Sequence, residues 1–145
     1  MIRYMTNKDV ECVAEIERLS ILNPWSSQSF LETLSYQQHI FLVYEEADTV
    51  KGYIGVYVAA DEGEITGIAI HPEYRKQKIG TKLFHFALSE AENASIKKIY
   101  LEVRTSNQSA IAFYNELGFE IDGIRKGFYS NPKEDGVVMH FSLDD

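Results

Sequence analysis

The chain has 145 residues, 45% of them hydrophobic and 12% aromatic, and this length and composition predict one globular domain over residues 1–145. Its net charge of −8 disfavours nucleic-acid binding and is typical either of a protein with a basic partner or of an acidic surface kept for solubility. No apolar run approaches the roughly 20 residues of a membrane helix, the N-terminus lacks the layout of a signal peptide, and Cys12 is the single cysteine, so we expect a cytoplasmic protein without membrane association.

The first third of the chain predicts one strand and two helices. Residues 2–5 form a short strand pattern. Thr6 or Asn7 can cap a helix to about residue 19, because apolar side chains recur at helical spacing at Val10, Val13, Ile16 and Leu19. Pro24 and its neighbours interrupt the chain, and Ser26 caps a second helix to about residue 34.

The remaining elements alternate strands with two more helices. Strand patterns cover residues 39–45, 51–60 and 64–70, and Pro72 stops the third of them. A helix at 79–93, a strand from residue 99, a helix from Ser106 or Asn107 to Leu117, and strands at 119–126 and 137–143 follow. The order β-α-α-β-β-β-α-β-α-β-β predicts an α/β (α+β) fold, with a mixed sheet of about six to seven strands and helices on both faces.

The stretch from Ile99 to Phe119 joins a strand to a helix and carries two chemically useful side chains. Glu102 lies near the end of the strand and Tyr114 lies on the helix, which Gly118 ends. A carboxylate and a phenol in such a unit can serve as an acid–base pair. A solvated strand carboxylate and a core aromatic explain the same pattern, so the residues alone leave both interpretations open.

A basic segment precedes the third helix. Residues 75–81, Arg-Lys-Gln-Lys-Ile-Gly-Thr, lie between a strand and a helix. The free backbone N–H groups and the helix dipole at such a place attract an anion such as a pyrophosphate. A solvated basic turn explains the segment as well, because a basic patch is a weak motif.

Taken together, these two segments resemble the GCN5-related N-acetyltransferase (GNAT) superfamily, and the resemblance covers essentially the whole chain. That family carries Q/R-x-x-G-x-G/A at this helix start, where it binds the pyrophosphate of acetyl-CoA. Arg75 and Gly80 match the motif, whereas Lys78 replaces its first glycine. Lysine keeps the backbone N–H, so we expect pyrophosphate binding to persist where the loop accommodates a β-carbon.

Within the superfamily, three segments resemble the RimI-type ribosomal-protein alanine N-acetyltransferases. They are Asn23-Pro24-Trp25-Ser26 with Phe30; Leu101-Glu102-Val103-Arg104 with Ser106-Asn107, Ala110-Ile111, Tyr114 and Leu117-Gly118-Phe119; and Gly123, Arg125-Lys126, Tyr129, Pro132, Glu134-Asp135 and Met139. The first and third segments are the more specific. Their joint presence implies acetyl transfer from acetyl-CoA to the N-terminal α-amine of a protein, such as the alanine of a small-subunit ribosomal protein.

The resemblance also implies roles for individual residues. Glu102 is the general base, acting directly or through water, and Tyr114 is the general acid. The backbone of Ile68, Ala69 and Ile70 contacts the acetyl and pantetheine arm, Asn107 hydrogen-bonds the cofactor, and the pyrophosphate lies against Arg75, Lys76, Gln77, Lys78, Ile79, Gly80 and Thr81. Trp25, Tyr129 and Glu134 flank the acceptor, although a core position is the more typical one for Trp25.

Two other functions are compatible with the same residues. One is an acetyltransferase for a small amine or a lysine side chain, and the other is a noncatalytic acetyl-CoA-binding module. No metal is expected, because the histidines at positions 39, 71, 85 and 140 lack ligand spacing. We expect a monomer or a weak dimer.

Overall fold

The computed structural model describes residues 1–143. Within them the strands are β1 (Ile2–Tyr4), β2 (His39–Glu46), β3 (Thr49–Ala59), β4 (Glu62–Ile70), β5 (Lys98–Arg104), β6 (Glu120–Tyr129) and β7 (Glu134–Ser142). The helices are α1 (Val10–Ser20), α2 (Ser27–Leu34), α3 (Ile79–Asn93) and α4 (Gln108–Leu117). Their order confirms the predicted α/β arrangement. In this part of the chain no helix is both long and apolar enough to cross a bilayer.

Helices α2 and α4 have the ends that the sequence predicts, because their caps act locally. The side chain of Ser26 accepts a hydrogen bond from the N–H of Ser29 at 3.1 Å at the start of α2. Asn107 caps α4 in the same way. Gly118 follows α4 with a φ of 109°, in the left-handed region that glycine adopts at little cost.

Two boundaries differ from the prediction. α1 begins at Val10, because Asp9 folds the preceding residues into a 3-10 turn: its carboxylate accepts the N–H of Thr6 at 2.8 Å and pairs with Arg3. Strands β6 and β7 extend further toward each other than predicted and pair as far as Tyr129 with Glu134. Their connection is therefore the short loop 130–133.

One sheet contains all seven strands of the described residues, in the order β1-β2-β3-β4-β5-β7-β6. Neighbouring strands are antiparallel except β4 and β5, which are parallel. This parallel pairing covers only Glu62–Glu64 of β4 against Lys98–Tyr100 of β5. Beyond it the two strands separate, and the sheet opens in its middle.

The two faces of the sheet carry separate cores, because neighbouring residues of a strand point to opposite sides. On β2, Leu42 belongs to one core and Val43 to the other. The first core packs α3 and α4 against the sheet, with fully buried side chains that include Leu83, Phe84, Ile99, Phe119 and Met139. The second packs α1 and α2 on the opposite face, around Val13, Ile16, Phe30 and Tyr53. The helices therefore lie on both faces, as predicted.

A carboxylate lies inside the second core. Glu17 of α1 is 4% exposed, and it accepts hydrogen bonds from the O–H of Tyr53 and from the N–H of Trp25 at 3.1 Å. Burial, and then the charge of Glu17, raise the pKa of Tyr53 well above its ordinary value, so the phenol keeps the proton it donates. Gly67 of β4 faces this phenol, and a Cβ at Gly67 would lie 2.2 Å from Tyr53 Oη.

The replacement Gly67→Ala is expected to lower the free energy of unfolding by about 1–3 kcal/mol. The added methyl group would overlap Tyr53 Oη, which cannot move without losing its hydrogen bond to Glu17. Denaturant unfolding measures the effect. Gly123→Ala is the matched control, because a Cβ at Gly123 meets nothing within 4 Å; we expect a change below about 0.5 kcal/mol there. Equal losses of unfolding free energy in the two variants would contradict the inference that Tyr53 Oη fills the space beside Gly67.

Candidate active site

A cleft of about 1000 Å³ occupies the opening between β4 and β5. Its walls also include the start of α3, one side of α4, and parts of the loops that follow α1 and β6. Most of the predicted site residues line it: Trp25, Ile68, Ala69, Ile70, Arg75, Lys76, Lys78, Ile79, Gly80, Thr81, Glu102, Asn107, Tyr114 and Tyr129. The fold thus brings the strand carboxylate, the helix phenol and the basic loop to one cleft.

Glu102 lies on the β5 side of the cleft, and its side chain is 15% exposed. Its Oε1 accepts a hydrogen bond from Nη1 of Arg125 at 2.7 Å. Its Oε2 is buried and has no hydrogen-bond partner among residues 1–143. A buried polar atom without a partner is costly, and at a cleft it is typical of a group whose partner is a ligand.

Tyr114 is both a core residue and part of the cleft wall. It is 4% exposed, and its ring packs against Phe113 and Phe119 with centroid distances of 5.2 and 5.3 Å. Burial raises the pKa of Tyr114 above its ordinary value. The phenol therefore stays protonated at neutral pH and is available as a donor.

The wall opposite Glu102 is formed by the backbone of β4. The parallel ladder ends at Glu64, so Ile68 and Ala69 have no strand beside them on the cleft side within the described chain. An extended ligand can hydrogen-bond to such a free strand edge. Asn107, the N-cap of α4, also lines the cleft, and its side-chain oxygen accepts the N–H of Ala110 at 3.2 Å. The cap leaves the side-chain NH₂ of Asn107 as the group for a ligand.

The basic loop adopts a conformation unusual for its residues. Lys76 and Lys78 have φ values of 66° and 62°, in the left-handed region that favours glycine. Lys78 thus has the backbone conformation to which a glycine is suited. The first hydrogen bond of α3 runs from the N–H of Lys82 to the carbonyl of Lys78, so the N–H groups of residues 79–81 have no acceptor within the helix. These donors, with the lysines, fit a pyrophosphate.

Two residues of the predicted loop behave differently from the lysines. The guanidinium of Arg75 donates to Ser20 Oγ at 3.0 Å and to the carbonyl of Ile70 at 3.3 Å, so it ties the loop to α1 and β4. Gln77 is exposed and does not line the cleft, because it lies between two residues that each reverse the direction of the backbone. The predicted contact of Gln77 with the pyrophosphate therefore stays a prediction, and its side chain lies outside the cleft lining.

Restoring a glycine in this loop is expected to stabilise the protein. The left-handed conformation costs a non-glycine residue about 1–2 kcal/mol, and the greater freedom of glycine in the unfolded chain offsets up to about 1 kcal/mol of the gain. We expect Lys78→Gly to raise the free energy of unfolding by about 0.5–1 kcal/mol. The control Lys82→Gly, inside α3, is expected to lower it by about 1 kcal/mol. Equal losses of unfolding free energy in both variants would contradict the inference that the backbone at Lys78 is strained.

Two loops meet over the open end of the cleft. The side-chain amide of Asn23 donates to the carbonyls of Ser130 at 3.4 Å and Asn131 at 3.0 Å. Trp25 is half-buried, its ring centroid lies 5.2 Å from that of Phe30, and it also lines the cleft. The two interpretations of Trp25, core anchor and cleft residue, therefore both describe it.

Glu134 lies outside the cleft lining, where we expected it to flank the acceptor. Its carboxylate accepts the N–H of Ser106 at 2.6 Å and pairs with Arg104 at 3.2 Å. Hydrogen bonds from Ser106, supported by Arg104 and Thr105, lower the pKa of Glu134 to about 2. This side chain is already fully engaged, so it holds the turn before α4. Arg104 also lies 4.6 Å from the Tyr129 ring and thereby fixes a residue that does line the cleft.

Some residues that shape the cleft were missed in the sequence. Glu17 could have been found, since it lies four residues after Val13 on the apolar side of α1, where a carboxylate is unusual. Asn23, Arg104 and Arg125 belong to the segments that carry the family resemblance, but the sequence predicted no role for them, because their partners are distant in the chain. No group of His, Cys, Asp and Glu side chains among residues 1–143 has the arrangement of a metal site.

Comparison with known proteins assigns the family. Residues 10–119 match the model of the acetyltransferase (GNAT) family. A Bacillus subtilis protein, provisionally named a ribosomal protein bS18 alanine N-acetyltransferase, is 35% identical over 99% of this chain and 96% of its own length. The Escherichia coli enzyme of that name is 28% identical over 95% of this chain and 94% of its own length. The crystal structure of the Escherichia coli S18-alanine N-acetyltransferase superposes with a TM-score of 0.91 at 26% identity, covering 100% of this chain and 94% of that one.

These findings confirm the predicted fold and the predicted resemblance to the RimI-type enzymes. They also confirm acetyl-CoA as the acetyl donor. The chain belongs to the GNAT family of acetyltransferases, and it is an acetyl-CoA-dependent N-acetyltransferase.

Proposed function

We propose that this enzyme acetylates the N-terminal α-amine of a protein, and that its acceptor is the N-terminal alanine of ribosomal protein bS18. The two relatives named for this activity match almost the whole chain. An acidic protein with a net charge of −8 also suits a basic ribosomal acceptor. Such an acceptor places the reaction in the cytoplasm.

The observation that carries this proposal is the free oxygen of Glu102. Glu102 lines the cleft and its Oε2 is buried without a hydrogen-bond partner in the described chain; the N–H of an incoming amine can supply that partner. An α-amine has a pKa of about 7.7–8.0, so a carboxylate, directly or through one water, is a sufficient base at neutral pH.

The reaction requires no acyl-enzyme. The amine nitrogen attacks the thioester carbonyl carbon and forms the new C–N bond, and the C–S bond then breaks. Glu102 takes the proton that the amine loses, Tyr114 gives a proton to the departing thiolate sulfur, and the proton on Glu102 passes through solvent to restore the Tyr114 phenol. Acetyl-CoA supplies the activated acetyl group. The backbone of Ile68–Ile70 orients its arm, the loop at residues 76–81 holds its pyrophosphate, and Asn107 donates to it.

An acetylation screen tests the acceptor. Peptides with N-terminal Ala, Ser or Gly, an N-blocked peptide with an internal lysine, and spermidine are compared by release of free CoA thiol. We expect the bS18 peptide that begins with alanine to react fastest and the N-blocked peptide to be inert. A faster reaction with lysine or spermidine would overturn the proposed acceptor. Acetyl-CoA binding without thiol release from any acceptor would show a binding module instead.

A further inference from the structure

We infer that Arg125 is the positioning residue of Glu102: it holds one carboxylate oxygen so that the other stays turned to the acceptor amine. This inference rests on the role proposed above for Glu102. It assigns a function to a residue that does not itself line the cleft.

The contact depends on a gap in the intervening strand. Arg125 is on β6 and Glu102 is on β5, with β7 between them. Gly136 of β7 is the register partner of Arg125, and a Cβ at Gly136 would lie 3.3 Å from Glu102 Oε2. The absence of a side chain at Gly136 therefore leaves room beside β7 for the carboxylate of Glu102, and Arg125 reaches its Oε1 there at 2.7 Å.

The exposure of the pair indicates a role other than folding. The side chain of Arg125 is 59% exposed, whereas that of Glu102 is 15% exposed. An ion pair with one solvated member contributes little to stability. The guanidinium is nevertheless kept in place, because its Cζ lies 4.5 Å from the centre of the Phe128 ring. The ion pair therefore fixes the orientation of the Glu102 carboxylate and contributes little to the stability of the fold.

Two titratable groups face Glu102 from nearby strands. Glu64 on β4 and Tyr129 on β6 both face it: burial first, and then the charge of Glu102, raise the pKa of each. The charge of Arg125 lowers the pKa of Glu64, and that of Arg104 lowers the pKa of Tyr129. Arg125 is thus a cation that Glu102 and Glu64 share, through a hydrogen bond to the first and a charge effect on the second.

Arg125→Met tests the inference in the complete enzyme. We expect kcat/KM for the alanine peptide to fall roughly 10-fold, because the base is misoriented, and to fall further at acidic than at alkaline pH. Arg125→Lys retains a charge and is expected to stay within about threefold of the natural enzyme. Arg18→Met is the matched control, since Arg18 is 62% exposed and paired with Glu15; it should change neither activity nor melting temperature.

The double variant Glu102→Gln/Arg125→Met separates this inference from the proposed role of Glu102. If Arg125 acts through Glu102, its replacement changes nothing further once Glu102 is Gln. A further loss in the Gln background, or Arg125→Met activity equal to that of the natural enzyme, would overturn the inference alone. Full activity of Glu102→Gln would instead overturn the proposed base. Circular dichroism checks that each variant is folded.

Discussion

Replacing Glu102 by Gln is expected to lower kcat about 10²- to 10⁴-fold at about pH 6.5, the range that a positioned general base contributes. The loss should be much smaller at about pH 9.5, because an α-amine with a pKa of about 7.7–8.0 is then already deprotonated. Gln keeps the shape of the side chain and can still accept the hydrogen bond from Arg125. The measurement is the pH profile of peptide acetylation at saturating acetyl-CoA.

The control for this prediction is another carboxylate on the same side of the sheet. Glu64 lies on β4 just where the strands separate, and it is not part of the cleft lining. We expect Glu64→Gln to change kcat by no more than about threefold, because no proton transfer passes through it. An equal pH-independent loss in both variants would indicate that the charge of the cleft, and not a base at Glu102, is what the reaction needs.

The parts of the fold that the sequence predicts are those whose causes are local. Ser26 and Asn107 cap their helices through residues three positions away, and Gly118 ends α4 through its own backbone. Helical and strand periodicity identified most of the remaining elements because they bury one side in a core, whereas β6 is mostly exposed. For the same reason the strand–helix unit that contains Glu102 and Tyr114 could be recognised before its surroundings were known.

The features that could not be predicted depend on contacts between distant segments. No local pattern around Lys78 predicts its left-handed backbone. A lysine in place of glycine instead favours an ordinary backbone conformation. The engagement of Glu134 with Ser106 depends on how β7 meets the start of α4. The separation of β4 from β5, which creates the cleft, follows from sheet register. Family resemblance supplied what local patterns lack: it predicted that these segments share a site.

Tyr114→Phe is expected to lower kcat about 10- to 100-fold while the affinity for acetyl-CoA changes by less than about threefold. The ring packing against Phe113 and Phe119 survives the change, so the melting temperature should be nearly unaltered. What disappears is the O–H that we propose as the donor to the departing sulfur. Burial raises the pKa of Tyr114, and for the same reason it destabilises a thiolate in this cleft. A hydrogen-bond donor therefore stabilises the leaving thiolate more here than it would in water. Single-turnover kinetics and acetyl-CoA titration separate the two quantities.

Tyr44→Phe provides the control, because Tyr44 is a partly buried tyrosine of β2 that does not line the cleft. Its kcat should equal that of the natural enzyme. The leaving group gives a second test: a CoA analogue whose thiolate is a weaker base needs less help from an acid, so it should narrow the difference between Tyr114→Phe and the natural enzyme. If the difference stays constant, or if affinity collapses instead of kcat, Tyr114 contributes by holding the cofactor. Protonation of the sulfur would then come from water, and Glu102 would be the only side chain of the pair engaged in proton transfer.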